Sequence, residues 1–342
     1  MSLVSKLMRR TLAAGVLLGL AGLTVAPASA GDLVIYSAVD FGGTVAKAFE
    51  AKTGIKVNLV EPGGTGELLG KIAAEGSNPQ FDLVWVDGSA ILERMLGDKV
   101  LQPVPGALFA KGAYNDVGKK LIPASHAFIP TSVSTTSITV ASKKVPADKL
   151  PKSFADLATP DFIGSIAAKD PNLSGPSFQF IAGLFQVMGE AQGKAYLTKI
   201  LTNKKMSGLA SGGPLNKALL TGDAKAGFAQ DSSSYAKIDK GEPLTVVYPS
   251  EGVVALPAGI GMSAQTKNAD AATKFIEFVL SKDGQASMQD GDDTDYYLAP
   301  IIDGVAAKKG RATDIKYVYL DGVAAGAKEA EWKKWYRDNF VP

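Results

Sequence analysis

The chain has 342 residues, with 36 Lys and Arg against 34 Asp and Glu, one His and no Cys. Without Cys there are neither disulfides nor thiolate metal sites, and a single His, His126, leaves no room for a two-His zinc motif. The charge balance, with no basic patch, excludes an electrostatic nucleic-acid binder, and the length allows two domains.

Residues 1–30 read as a secretory signal peptide. Lys6, Arg9 and Arg10 precede an apolar run from Thr11 to Ala26, and Ala28-Ser29-Ala30 forms an A-x-A cleavage site before Gly31. Cleavage would leave 33 basic against 34 acidic residues. The run is too short and too Gly-containing for a membrane anchor, and no Cys follows to carry a lipid. The expected product is a soluble protein exported to the periplasm.

Leu33 to Tyr36 reads as a strand, followed by the polar loop Ser37-Ala38-Val39-Asp40-Phe41-Gly42-Gly43 and a helix from Thr44 to Lys52. Ile55, Val57 and Leu59 alternate as a second strand, which runs into Glu61-Pro62-Gly63-Gly64-Thr65-Gly66 and a further helix. A third strand, Phe81 to Val86, delivers Asp87-Gly88-Ser89 to the next helix. Three such units in succession predict a parallel sheet covered by helices, with ligands at the carboxyl ends of the strands. Leu101 to Pro130 is irregular and broken by four prolines. Thr131 to Ser137 is polar and β-prone, unlike a Gly/Ser linker, and predicts a strand crossing between domains.

Lys169-Asp170-Pro171-Asn172-Leu173-Ser174-Gly175-Pro176-Ser177 then turns directly into a helix whose Phe178, Ile181, Leu184, Phe185 and Met188 recur at helical spacing. Ser174 or Ser177 can cap it, Pro176 suits its first turn, and Gly175 lets a ligand approach the backbone. Its unpaired N–H groups and the hydroxyls beside them suit a phosphate or carboxylate. The same design returns at Ser211-Gly212-Gly213-Pro214, and after the strand Ala226 to Ala229 at Gln230-Asp231-Ser232-Ser233-Ser234-Tyr235. A strand at Leu244 to Tyr248, an apolar run from Val253 to Met262, a helix from Asn268 to Leu280 and an aromatic amphipathic tail at Trp332 to Phe340 complete the pattern.

No G-x-S-x-G elbow, Walker loop, post-strand G-x-G-x-x-G or H-E-x-x-H is present, so no catalytic residue, cofactor or resident metal is expected. Beyond residue 30 the chain has only Arg94, Arg311 and Arg337, none in a strand-end loop. An anion would therefore rest on N–H groups and hydroxyls rather than on a bidentate arginine, which suits a tetrahedral phosphoryl group. Asp40, Asp87 and Asp231 lie in the same loops, either to receive an ammonium or as helix caps.

The opening L-V-I-Y-S, the stretch F-D-L-V-W-V-D-G, the run Y-P-S-E-G at Tyr248 to Gly252 and F-I-E-F-V-L-S-K-D-G-Q at Phe275 to Gln285 resemble the solute-binding proteins of ABC importers. The branch is the type II periplasmic group that holds ferric-ion, phosphonate and sugar-phosphate binders. The resemblance implies two α/β lobes joined by two extended crossings: residues 31–130 and 254–303 as lobe one, 131–253 as lobe two, and 304–342 as a helical segment packing across them. It also implies a monomer that captures a small ligand for an inner-membrane permease. Iron binders of the group carry adjacent tyrosines where this chain has Ser234-Tyr235, a departure that favours a 2-aminoethylphosphonate-like ligand over ferric iron. A periplasmic phosphohydrolase is the remaining alternative. The expected ligand-binding set is Ser37, Asp40, Thr65, Asp87, Ser174, Gly175, Ser177, Gly212, Gly213, Asp231, Ser232 and Tyr235.

Overall fold

A computed structural model describes residues 32–290 and 296–342. The signal-peptide reading falls outside the described residues. None of the described helices is long and apolar enough to cross a membrane.

Ten strands form one curled sheet among these residues. They are β1 (Leu33–Ser37), β2 (Val57–Val60), β3 (Leu83–Asp87), β4 (Leu101–Gln102), β5 (Ile129–Ala141), β6 (Ile166–Ala167), β7 (Ala226–Gln230), β8 (Leu244–Val247), β9 (Val253–Ser263) and β10 (Tyr317–Val318). Their order is β2-β1-β3-β9-β5-β7-β6, with β4 and β10 on β9 and β8 on β5. β1 pairs in parallel with both β2 and β3, as three successive strand–helix units require. The β3 sequence Leu-Val-Trp-Val-Asp is buried at every position because helices cover both sheet faces.

The polar crossing expected at Thr131 to Ser137 is the centre of a longer element. β5 runs unbroken for 13 residues. Its first half, Ile129 to Thr135, pairs antiparallel with β9, and its second half, Thr136 to Ala141, pairs with β7 and β8. One strand thus belongs to both halves of the sheet. β9 is the second long strand, and Pro257 sits inside it without breaking it.

The segment between Leu101 and Pro130 is less irregular than its prolines suggest. It holds the short helices Gly106–Phe109 and Asp116–Leu121, the latter capped by Asn115, whose Oδ1 accepts from the Val117 and Gly118 amides. The helix Gly175–Met188 is expected to bury one face, yet every residue from Gly175 to Phe185 is buried. It is enclosed by β9 on one side, where a Cβ on Gly183 would fall 2.1 Å from a Val254 methyl, and by the tail helix Glu329–Phe340 on the other, through Phe185 against Trp332.

Candidate functional site

The carboxyl ends of β1, β2, β3, β6 and β7 open on one cavity of about 620 Å³. One wall comes from the β1, β2 and β3 ends: Ser37, Asp40, Glu61, Gly63, Gly64, Thr65 and Asp87. The facing wall comes from the other half of the sheet: Lys169, Ser174, Ser211, Gly212, Gly213, Asn216, Gln230, Ser233 and Lys237; Tyr296, whose hydroxyl is 3.3 Å from Thr44 Oγ1, also lines the cavity.

Three helix starts shape these walls. Ser37 lies at the end of β1 with its Oγ 3.2 Å from the Val39 amide, and the helix Gly42–Thr53 begins directly beyond. Ser174 caps the helix Gly175–Met188 by accepting from the Ser177 amide at 3.3 Å, and Pro176 occupies its first turn. The helix Gly212–Thr221 starts from extended Ser211, whose side chain makes no capping bond, and Gly212 and Gly213 have open space at the position of a Cβ or only a distant Ser211 Oγ. Gly212 and Gly213 line the cavity, and a helix start leaves its first backbone N–H groups without intrahelical partners.

The walls already touch. The Gly66 amide donates to the Leu173 carbonyl at 3.3 Å, and Gln230 Nε2 donates to Asp87 Oδ2 at 3.1 Å. A Cβ on Gly175 would stand 2.9 Å from Thr65 Oγ1 and 3.0 Å from the Asp87 carbonyl oxygen, so only glycine admits this approach.

Of the expected ligand-binding residues, Ser37, Asp40, Thr65, Asp87, Ser174, Gly212 and Gly213 line this one cavity. Five do not. Gly175 is buried against Thr65, and Ser177 is turned inward, its Oγ donating to the Lys169 carbonyl at 2.7 Å. Ser232 is fully buried. Asp231 is neither an open amine receiver nor a simple cap. Its side chain is fully buried, with Oδ2 2.9 Å from Arg311 Nη2 and 2.9 Å from the donating Tyr248 hydroxyl, and Oδ1 accepting from the Thr135 amide of β5. Arg311, which lies in no strand-end loop, pairs with Asp231 just after β7 and is not among the residues that line the cavity. Tyr235 belongs to the same cluster: its hydroxyl is 3.4 Å from that of Tyr248, and its ring stacks on Tyr297 at 6.2 Å.

Glu61, Lys169, Asn216, Gln230, Ser233, Lys237 and Tyr296 escaped the sequence reading. Glu61 had a usable signal, a carboxylate at the end of a strand leading into Gly-Gly. Lys169, 5% exposed, is visible in the sequence only as a residue before the Ser174 loop. Asn216 is 5% exposed and lines the cavity, and its Oδ1 is shielded from solvent with no hydrogen-bond partner. The carboxyl of Glu61 is raised above its usual range, first by its partial removal from water and then by Asp40 beside it. Among the described residues no three His, Cys, Asp or Glu side chains converge to hold a metal ion. Burial and the Asp231 charge push the Tyr248 phenol far up, and desolvation and Asp239 push up that of Tyr297.

A family model for bacterial extracellular solute-binding proteins matches residues 44–317. The major ferric iron-binding protein of Neisseria meningitidis serogroup B is 24% identical over 282 residues, covering 78% of this chain and 81% of its own. A putative 2-aminoethylphosphonate-binding periplasmic protein of Salmonella paratyphi A is 24% identical over 250 residues, 71% of this chain and 70% of its own. Among solved structures, the periplasmic binding protein AfuA of Actinobacillus pleuropneumoniae, with fructose-6-phosphate bound, superposes with a TM-score of 0.79 at 22% identity over 90% of this chain and 98% of its own. The fold is that of the type II periplasmic binding proteins. The chain belongs to the bacterial extracellular solute-binding protein family, as a substrate-binding component of an ABC importer and not an enzyme.

Proposed function

We propose that this protein captures a small phosphonate or phosphate monoester in the periplasm and delivers it to its permease. The observation that carries the reading is the convergence of Ser37, Thr65, Ser174 and the open Gly212-Gly213 helix start on one cavity. Hydroxyl donors and bare amides at helix starts match the three oxygens of a phosphoryl group, and no arginine lines the wall. Charge-assisted hydrogen bonds of roughly 1.5–3 kcal/mol each allow a few of them to reach micromolar affinity, about −8 kcal/mol.

Residues 31–130 and 254–303 form lobe one in this reading, residues 131–253 form lobe two, and 304–342 pack across both. β5 and the start of β9 are the hinge crossings, and ligand favours closure by its differential affinity for the closed state. The lobe-one loops Gly63–Gly66 already approach Leu173 and Gly175 of lobe two.

Ferric iron is the competing cargo, since relatives carry that name. It would need phenolate ligands. Tyr235 stands in the Asp231 cluster outside the cavity lining, which among the described residues holds one tyrosine, Tyr296. A titration decides between them: 2-aminoethylphosphonate should raise the melting temperature, and ferric citrate should bring up no visible charge-transfer band. A band that disappears in Tyr235→Phe would overturn the phosphoryl reading.

A further inference from the structure

The tail beyond β10 is fastened to both walls of the cavity from behind. The short helix Gly322–Ala327 lies on the helix Ser89–Gly97, which follows the Asp87 end of β3. A Cβ on Gly322 would stand 3.1 Å from Ser89 Oγ, and one on Gly326 would stand 2.9 Å from the Ala90 carbonyl oxygen. The helix Glu329–Phe340 lies instead against the other half of the sheet. Its Trp332 packs on Phe178 and Phe185, and the Tyr336 hydroxyl donates to the Ser207 carbonyl at 2.7 Å. Asn172 Nδ2, in the loop that delivers Ser174, donates to the Lys333 carbonyl at 3.3 Å. The two tail helices meet at Lys328, which ends one and starts the other without a capping side chain.

An ion pair runs across that junction. Arg94 Nε, on the helix Ser89–Gly97, donates to Glu329 Oε2 at 2.6 Å. We infer, resting on the two-lobe reading, that the tail is a clasp and the Arg94–Glu329 pair its catch, made when the lobes close and broken when they part. The catch thereby sets the share of closed protein and the rate at which ligand leaves. Each partner has a second one on its own side. Glu329 Oε1 accepts from Lys333 Nζ within its own helix, and Arg94 Nη1 donates to Asp98 Oδ2 at 3.0 Å, four residues along from it. A buried charge left alone would make opening prohibitive, whereas two charges that each keep a partner make it reversible. The Arg94 side chain is 35% exposed, so water reaches the pair as it parts and the cost of parting stays modest.

The chain has no Cys, so Lys47→Cys and Lys205→Cys, both at exposed positions, put spin labels on lobe one and lobe two and nowhere else. Electron–electron resonance on the mature protein reads the label separation with and without 2-aminoethylphosphonate, in the unaltered background and in Arg94→Met and Arg94→Lys. Ligand should move the unaltered protein toward the shorter separation. Arg94→Met should raise the ratio of long to short separations by roughly 3–10-fold, between an exposed ion pair and one charge-assisted hydrogen bond, and should speed phosphonate dissociation by up to the same factor. Arg94→Lys, which keeps a cation for Glu329, should restore most of the short population, and melting curves check that both variants fold. An unchanged distribution in Arg94→Met overturns the catch and leaves the two-lobe reading standing. A shift that Arg94→Lys does not reverse also overturns it, because packing rather than charge then holds the tail. One unchanging separation in a protein that calorimetry shows to bind the phosphonate refutes lobe closure, and this inference with it. If the phosphonate does not bind, the phosphoryl reading falls, and the ligand-free distributions decide the clasp by the same comparison of variants.

Discussion

The Asp231–Arg311 pair joins the helix Asp231–Asp239, the tail segment and β5, and both side chains are fully buried. Arg311→Met would leave the Asp231 carboxylate in place with only the Tyr248 hydroxyl and the Thr135 amide to stabilise its charge. Removing one partner of a buried pair costs about 3–5 kcal/mol, chiefly because the remaining charge is stranded. At roughly 2–4 °C per kcal/mol for a large domain, the melting temperature should fall by about 6–20 °C. Asp231→Leu combined with Arg311→Met removes both charges and should recover much of the loss, so a double-mutant cycle in urea isolates the coupling. Gln230 precedes Asp231, and Gln230 and Ser233 both line the cavity. Phosphonate affinity should therefore fall in Arg311→Met along with stability. A melting shift under about 1 °C in Arg311→Met, far below the cost of a stranded charge, would refute this account of the pair.

Three further outcomes follow from the same geometry. Ser174→Ala should weaken 2-aminoethylphosphonate by roughly 10–150-fold, one charge-assisted hydrogen bond, and lower stability by about 1 kcal/mol through the lost cap, whereas Ser177→Ala should affect stability more than affinity because its hydroxyl serves the Lys169 carbonyl; calorimetry and urea melts separate the two. Gly175→Ala places a methyl against Thr65 Oγ1 and the Asp87 carbonyl, so it should hold the lobes apart, and small-angle scattering at saturating ligand should show less compaction than for the unaltered protein. Glu61 binds its proton more firmly in the folded than in the unfolded chain, so its contribution to stability is present at low pH and is lost as pH rises through its raised range. Urea melts across and above the carboxylate range should show the unaltered protein losing stability relative to Glu61→Gln as pH rises, and a constant difference would contradict it.

The strands and the loops after them were legible because each is local. Alternation marks β2, continuous apolar runs mark β1 and β3, and Ser, Gly and Pro mark the helix starts at Gly175 and Gly212. Those signals brought Ser37, Thr65, Ser174 and Gly212 forward, and all four line the cavity. What stayed hidden depends on partners far along the chain. Asp231 looks like a cap or an amine receiver until Arg311, 80 residues away, is folded against it. The hydroxyl of Ser177 looks like that of Ser174, and only the path of the Lys169 backbone turns it inward. Lys169 opens the stretch before Ser174 without any sign that its side chain lines a site, Lys237 lies inside a helix, and the meeting of both with Asp40, Glu61 and Asp87 around one cavity exists only once the two halves of the sheet are folded together.

A crystal structure of the mature protein grown with 2-aminoethylphosphonate tests the central claim most directly. The account predicts the phosphorus against the Ser174 hydroxyl and the Gly212-Gly213 amides, with the lobes closed over it. Phosphorus density elsewhere, or an empty cavity with a metal ion held among Tyr235, Tyr248 and Tyr297, would contradict it.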